Sequence, residues 1–240
     1  GVNGGIIEAH EHGIVTSAAL LVSFPALDDA ISLARAFPRL SVGLHVNLTI
    51  GRPITPWQQV PSLTNISGNF LGLAGFLQRL ARGRISTAEL SIEIDAQFRR
   101  YAETGLPLDF VNGQHHIHLF QPVLNLLAER LKRNRPHMLR LTHEPLRALL
   151  PSLHGGLITF PHPKRYLFAF LARRASHALN GLASNDGFIH VDGAAFRRPT
   201  SAGASNPFIT ALRDATGTTN ELMCHPGHVD LPLRYLDAYV

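Results

Sequence analysis

Short apolar runs of strand length alternate with longer stretches of helical period along this chain, and that alternation confines its fold to few architectures. Residues 17–23 (SAALLVS), 40–48 (LSVGLHVNL), 108–111, 137–141 and 221–224 read as strands. Residues 28–37, 71–82, 87–104, 122–132, 166–179 and 207–215 carry helical spacing, and residues 5–12 form a short amphipathic helix closed by Gly13. Pro38, Gly105 and Pro107 stop helices, Pro122 opens one, and Ser86 or Thr87 can cap another. Such alternation yields a mostly parallel sheet covered by helices. The expected fold class is α/β, a barrel-like architecture occupying residues 1–240 as a single domain.

Composition narrows the class further. With 240 residues, 45% hydrophobic and 16% charged, the chain can bury a full core and is not of disordered type. The formal charge is +5, but its 22 Lys and Arg are scattered and fall mainly on helix-like segments or at their ends. Nucleic acid is therefore not an expected partner, since a binding footprint needs a basic stripe with groove-reading or stacking residues. The single cysteine, Cys224, excludes an intramolecular disulfide framework and is expected in the core. No run reaches the roughly 18 apolar residues of a membrane span. A cytoplasmic location is the expectation. An α/β domain ordinarily begins on a strand, whereas this chain begins GVNGGIIEAHEHG, so a preceding segment is expected. Barrels commonly form homo-oligomers, although no interface signal stands out.

Polar clusters close three of the strands: His45 in GLHVNLT, the histidines of NGQHHIH, and His225 in ELMCHPGH. Ligand sites of parallel α/β folds form at that end. In FVNGQHHIHLF, an extended backbone would put His116 and His118 on one face with His115 opposed; a helical turn would pair position 114 with His118. Either arrangement offers imidazoles to a divalent ion. His225, held before Pro226-Gly227, suits a general acid. The carboxylate that a hydrolytic metal site wants is not obvious: Asp28-Asp29 opens a helix and Asp109 reads as a strand residue. No GxSxG, GxGxxG or Walker pattern occurs. Residues 51–69 form a long loop of the kind that covers functional sites.

The ordered motifs GVNGGIIEAHEHGIVTSAALLV, SVGLHVNLTIGRPI, LPLDFVNGQHHIHLFQPV and NELMCHPGHVD resemble the YdjC-type carbohydrate deacetylase family, which includes chitooligosaccharide and hopanoid-biosynthesis deacetylases. Asn112 stands where the chitooligosaccharide branch tends to have Asp, which brings the sequence nearer the hopanoid branch. The resemblance implies an irregular (β/α) barrel like that of polysaccharide deacetylases. It also implies a divalent metal, Mg or Zn, and removal of an N-acetyl group from an N-acetylglucosamine-containing carbohydrate or glycolipid. His45 matches the first histidine ligand. The second aligns with Gln114, so a neighbouring ring, His115 or His118, is expected to replace it, giving His45, His115 and His118 as metal ligands. His225 is the expected catalytic acid. The family's ADDFG strand, with its base and carboxylate ligand, is expected upstream of Gly1, and the chain is expected to be incomplete at both ends. A vestigial carbohydrate-binding protein on the same fold is the alternative.

Overall fold

A computed structural model describes residues 1–134, 138–144, 152–154, 157–159, 163–179, 181–190 and 217–228, with isolated positions 136, 149, 209, 212, 213 and 215. The chain divides into two compact units, one of residues 7–139 and one of residues 1–6 with 140–240. Most of the expected helix at 207–215, and most of residues 145–162 and 191–205, lie outside the described residues.

The unit of residues 7–139 is built on four parallel strands in the order β1-β2-β3-β4: Ser17–Leu20, Ser41–Val46, Phe110–Gly113 and Met138–Leu139. Helices α2 (Leu27–Ala36), α3 (Gly72–Ala81), α4 (Thr87–Glu103) and α5 (Val123–Asn134) lie in the connections, and α1 (Val2–Glu11) precedes the first strand. This is the α/β class that the alternation implies. Leu44, Val46, Phe76, Ile94, Val111 and Leu127 are fully buried, so strand and helix apolar faces share one core.

Local chemistry explains the boundaries. The Ser86 hydroxyl accepts from the Glu89 N–H, which caps α4 where the spacing places its start. Gly43 lets β2 and β3 approach closely: a Cβ there would sit 2.4 Å from the Phe110 carbonyl oxygen. Asp109, just before β3, accepts from the Ser41 hydroxyl and the Val42 N–H, so its carboxylate serves sheet pairing. Strands expected over 17–23 and 40–48 are shorter, ending at Leu20 and Val46. Asn47 accepts from the Thr49 and Ile50 N–H groups and bends the chain immediately past Val46.

In the other unit, β5 (Ser152–His154) and β6 (Leu157–Thr159) pair antiparallel, α6 spans Pro163–Leu179, and β7 (Gly187–His190) runs parallel to β8 (Asn220–Met223). The Asn185 carboxamide bonds the Leu141 N–H and carbonyl, and Arg140 pairs with Glu221. Cys224, expected in the core, is exposed, because it follows a strand that is half-buried along its length, not a core strand.

Candidate active site

The ladder between β2 and β3 sets His45 directly opposite Asn112, at the C-terminal edge of the sheet. The His45 Nδ1 and Asn112 Oδ1 are hydrogen-bonded, and His45 Nε2 lies 2.8 Å from Gln114 Oε1. Gln114 Nε2 lies 3.5 Å from His115 Nε2, and His115 Nδ1 lies 2.9 Å from the Thr49 hydroxyl. Asn112, His45, Gln114, His115 and Thr49 thus form one polar chain across the ends of two adjacent strands. Its members range from buried to half-buried.

The histidine segment is neither of the two regular conformations that the sequence allows. Gly113 is extended, a 3-10 stretch covers Gln114–Leu119, and His115 and His116 both take left-handed backbone, with φ of 53° and 57°. Left-handed conformation is costly for residues with a Cβ and persists where surroundings over-determine it. Here it accompanies Gln114 facing His45, and His115 facing Thr49, on one short turn. His118 goes the other way and is fully buried beside Gly113, where an added Cβ would come within 3.0 Å of its Nδ1.

A buried layer behind the site fixes the backbone that carries Thr49. Gln97 on α4 accepts from the Asn47 N–H and donates to the Asn47 carbonyl. Glu93, one turn earlier and fully buried, accepts from the Ile54 and Thr55 N–H groups and from Gln97. These two side chains satisfy the main chain on both sides of the turn after β2. Sequence reading missed them, since on α4 they look like any polar helix residues. Their one signal is that they stand four apart, on one helix face.

The expected ligand trio does not assemble. Among the described residues, no three His, Cys, Asp or Glu side chains converge so as to hold a metal ion. The chemistry of His45 agrees. Two amide oxygens ask both ring nitrogens to donate, which only the protonated ring does; a half-turn of the Gln114 carboxamide lets the neutral ring accept at Nε2 instead. In both states the Nε2 position that a cation would take is engaged by Gln114. His115 faces Thr49, and His118 is enclosed on the far side of the turn. The described residues in this arrangement therefore do not fit a divalent cation.

His225 is exposed after β8. The Pro226-Gly227 turn that follows it is held by the first turn of α1: a Cβ on Gly5 would meet the Gly227 Cα at 2.5 Å, so only glycine permits that backbone contact.

The polar chain lies at the C-terminal edge of a parallel α/β sheet, the edge at which doubly wound and barrel folds place their ligand sites. The chain belongs to the YdjC-like protein family, whose model matches residues 1–238. It is 30% identical to a chitooligosaccharide deacetylase of Proteus mirabilis over 98% of this chain and 79% of that one. A carbohydrate deacetylase of Geobacillus stearothermophilus is 32% identical over 100% of this chain and 79% of its own length. A mouse carbohydrate deacetylase is 32% identical over 95% of this chain and 74% of its own. Among solved structures, a protein of Enterococcus faecalis described as a cellobiose-phosphate cleavage protein superposes with a TM-score of 0.73, at 22% identity, over 99% of this chain and 80% of that one. That likeness bears on the fold alone. No helix among the described residues is long and apolar enough to cross a membrane.

Proposed function

We propose that this chain is a carbohydrate N-deacetylase that hydrolyses the acetamide of an N-acetylglucosamine-containing carbohydrate or glycolipid. The observation that carries the reading is the family match over residues 1–238, whose named relatives are carbohydrate deacetylases. In the reaction, water adds to the acetyl carbonyl, the C–N bond breaks, and acetate leaves while the amine takes up a proton. Gln114 and His115 offer donor and acceptor atoms at the strand ends of their unit to an acetamido group. The role of His225 as general acid is proposed from the family resemblance alone. The divalent ion that the family resemblance implies, Mg or Zn, belongs to the proposal as a requirement to be tested.

The test is acetate release from N-acetylglucosamine oligomers and from an N-acetylglucosaminyl lipid, with Mg, Zn or a chelator present. Acetate formation that follows one ion and one substrate class supports the reading and selects the sugar. Folded protein that releases no acetate under any ion counts against it. The hydrogen bond between His45 and Gln114 favours a second reading, carbohydrate binding without turnover. Calorimetric sugar binding in the absence of acetate release would select it.

A further inference from the structure

Helix α6 (Pro163–Leu179, PKRYLFAFLARRASHAL) buries mostly alanines while leaving Leu167 and Phe170 exposed, which a helix that only packs inward would not do. The buried line is Ala169, Ala172, Ala175 and Leu179. The outward line is Leu167 and Phe170, the latter 60% exposed, with Tyr166 beside them. Arg173 and Arg174 follow one turn later on either side of Phe170 and are exposed too. Exposed apolar patches rimmed by charge mark interaction surfaces. The Tyr166 hydroxyl is tethered to the Leu149 carbonyl and Arg165 is paired with Glu144, which leaves Leu167, Phe170, Arg173 and Arg174 as the outward-facing group.

We propose that this face of α6 docks reversibly on an anionic lipid surface, with Phe170 and Leu167 entering the headgroup boundary while Arg173 and Arg174 meet lipid phosphates. Charge decides the occupant. No acidic residue lies anywhere on α6, so two copies pairing through this face would set arginines against arginines. A bilayer bearing phosphate and excess negative charge answers both the cations and the apolar line. Two outward apolar residues make a weak anchor, so binding depends on the anionic lipid and falls with salt. The inference is independent of the proposed deacetylase reading.

The experiment is co-sedimentation of the 240-residue chain with vesicles of equimolar phosphatidylglycerol and phosphatidylcholine, against phosphatidylcholine alone. Binding to the first, absent from the second and weakened by salt, is expected. Replacing Arg173 and Arg174 together by Gln should lower partitioning roughly 30-fold, if each arginine near an anionic surface contributes about 1 kcal/mol. Leu167→Ser with Phe170→Ser should abolish it, with circular dichroism and thermal melting unchanged because both side chains face outward. Absence of binding to anionic vesicles at low salt overturns the proposal, as does undiminished binding by the serine variant. Sedimentation velocity covers the competing occupant: a dimer that the serine variant dissolves, with no vesicle binding, makes the face a protein interface.

Discussion

His45 Nε2 and Gln114 Oε1 lie 2.8 Å apart, so the imidazole that matches a metal ligand by sequence is engaged by a carboxamide from the neighbouring strand end. Replacing that carboxamide by a ring nitrogen changes the donor set where the two side chains meet. Gln114→His should tighten zinc binding by at least about tenfold in titration calorimetry, the scale on which ligand surroundings act. An unchanged affinity would mean that another side chain already completes the coordination. The same variant assayed for acetate release tests whether Gln114 limits turnover.

Glu93 is fully buried and takes hydrogen bonds from Ile54, Thr55 and Gln97. Glu93→Ala leaves those donors inside without an acceptor, and should cost about 2–4 kcal/mol in urea unfolding. Glu93→Gln retains one acceptor oxygen and should lose less. Equal losses in the two variants would show that the charge, not the hydrogen-bond geometry, holds the turn.

Gly43 faces the Phe110 carbonyl and ring at distances that no Cβ tolerates. Gly43→Ala should push β2 from β3 and destabilise by about 1–3 kcal/mol. Because the same ladder aligns His45 with Asn112, sugar binding should weaken by more than the stability change explains. Wild-type stability in the variant would contradict the close approach.

His143 is held below the ordinary value of 6.5, by burial first and then by the Arg173 charge, with Asp186 opposing. The unfolded chain therefore takes up the proton before the folded one does. Stability should be flat above pH 6.5 and fall as the pH drops below it. Asp186 is held below its ordinary 3.8 by hydrogen bonds from the Thr219 and Thr218 N–H groups and the Thr218 hydroxyl. Its contribution is present above pH 3.8 and is lost at more acid pH. His143→Gln should remove the upper part of the slope and leave the lower part; denaturant midpoints measured across that range check both.

Several features were legible in the residues. Ser86 announced the start of α4 and capped it, because an N-cap depends on three or four consecutive residues. The strands at β1, β2 and β3 followed from their apolar runs, although their ends did not: β1 and β2 stop short of the runs and β3 continues to Gly113. Asn47 shows the limit of local reading. It falls inside the run read as strand over 40–48, yet it is 1% exposed and shapes the turn after β2. Cys224 shows the reverse: it follows a strand that is itself only half-buried, and its thiol is exposed.

By itself, the sequence determined the α/β class, where the first strands fall along the chain, and the placing of His45 and the NGQHHIH segment at strand ends. Those depend on period, caps and breakers, which act over a few neighbours. Tertiary structure decided what the histidines do. The left-handed backbone at His115 and His116, the pairing of His45 with Asn112 across the ladder, and the enclosure of His118 against Gly113 involve residues brought together by sheet register and packing. Three rings of equal standing in the sequence thereby become one turned to Thr49, one half-buried and one in the core, with Gln114 facing His45.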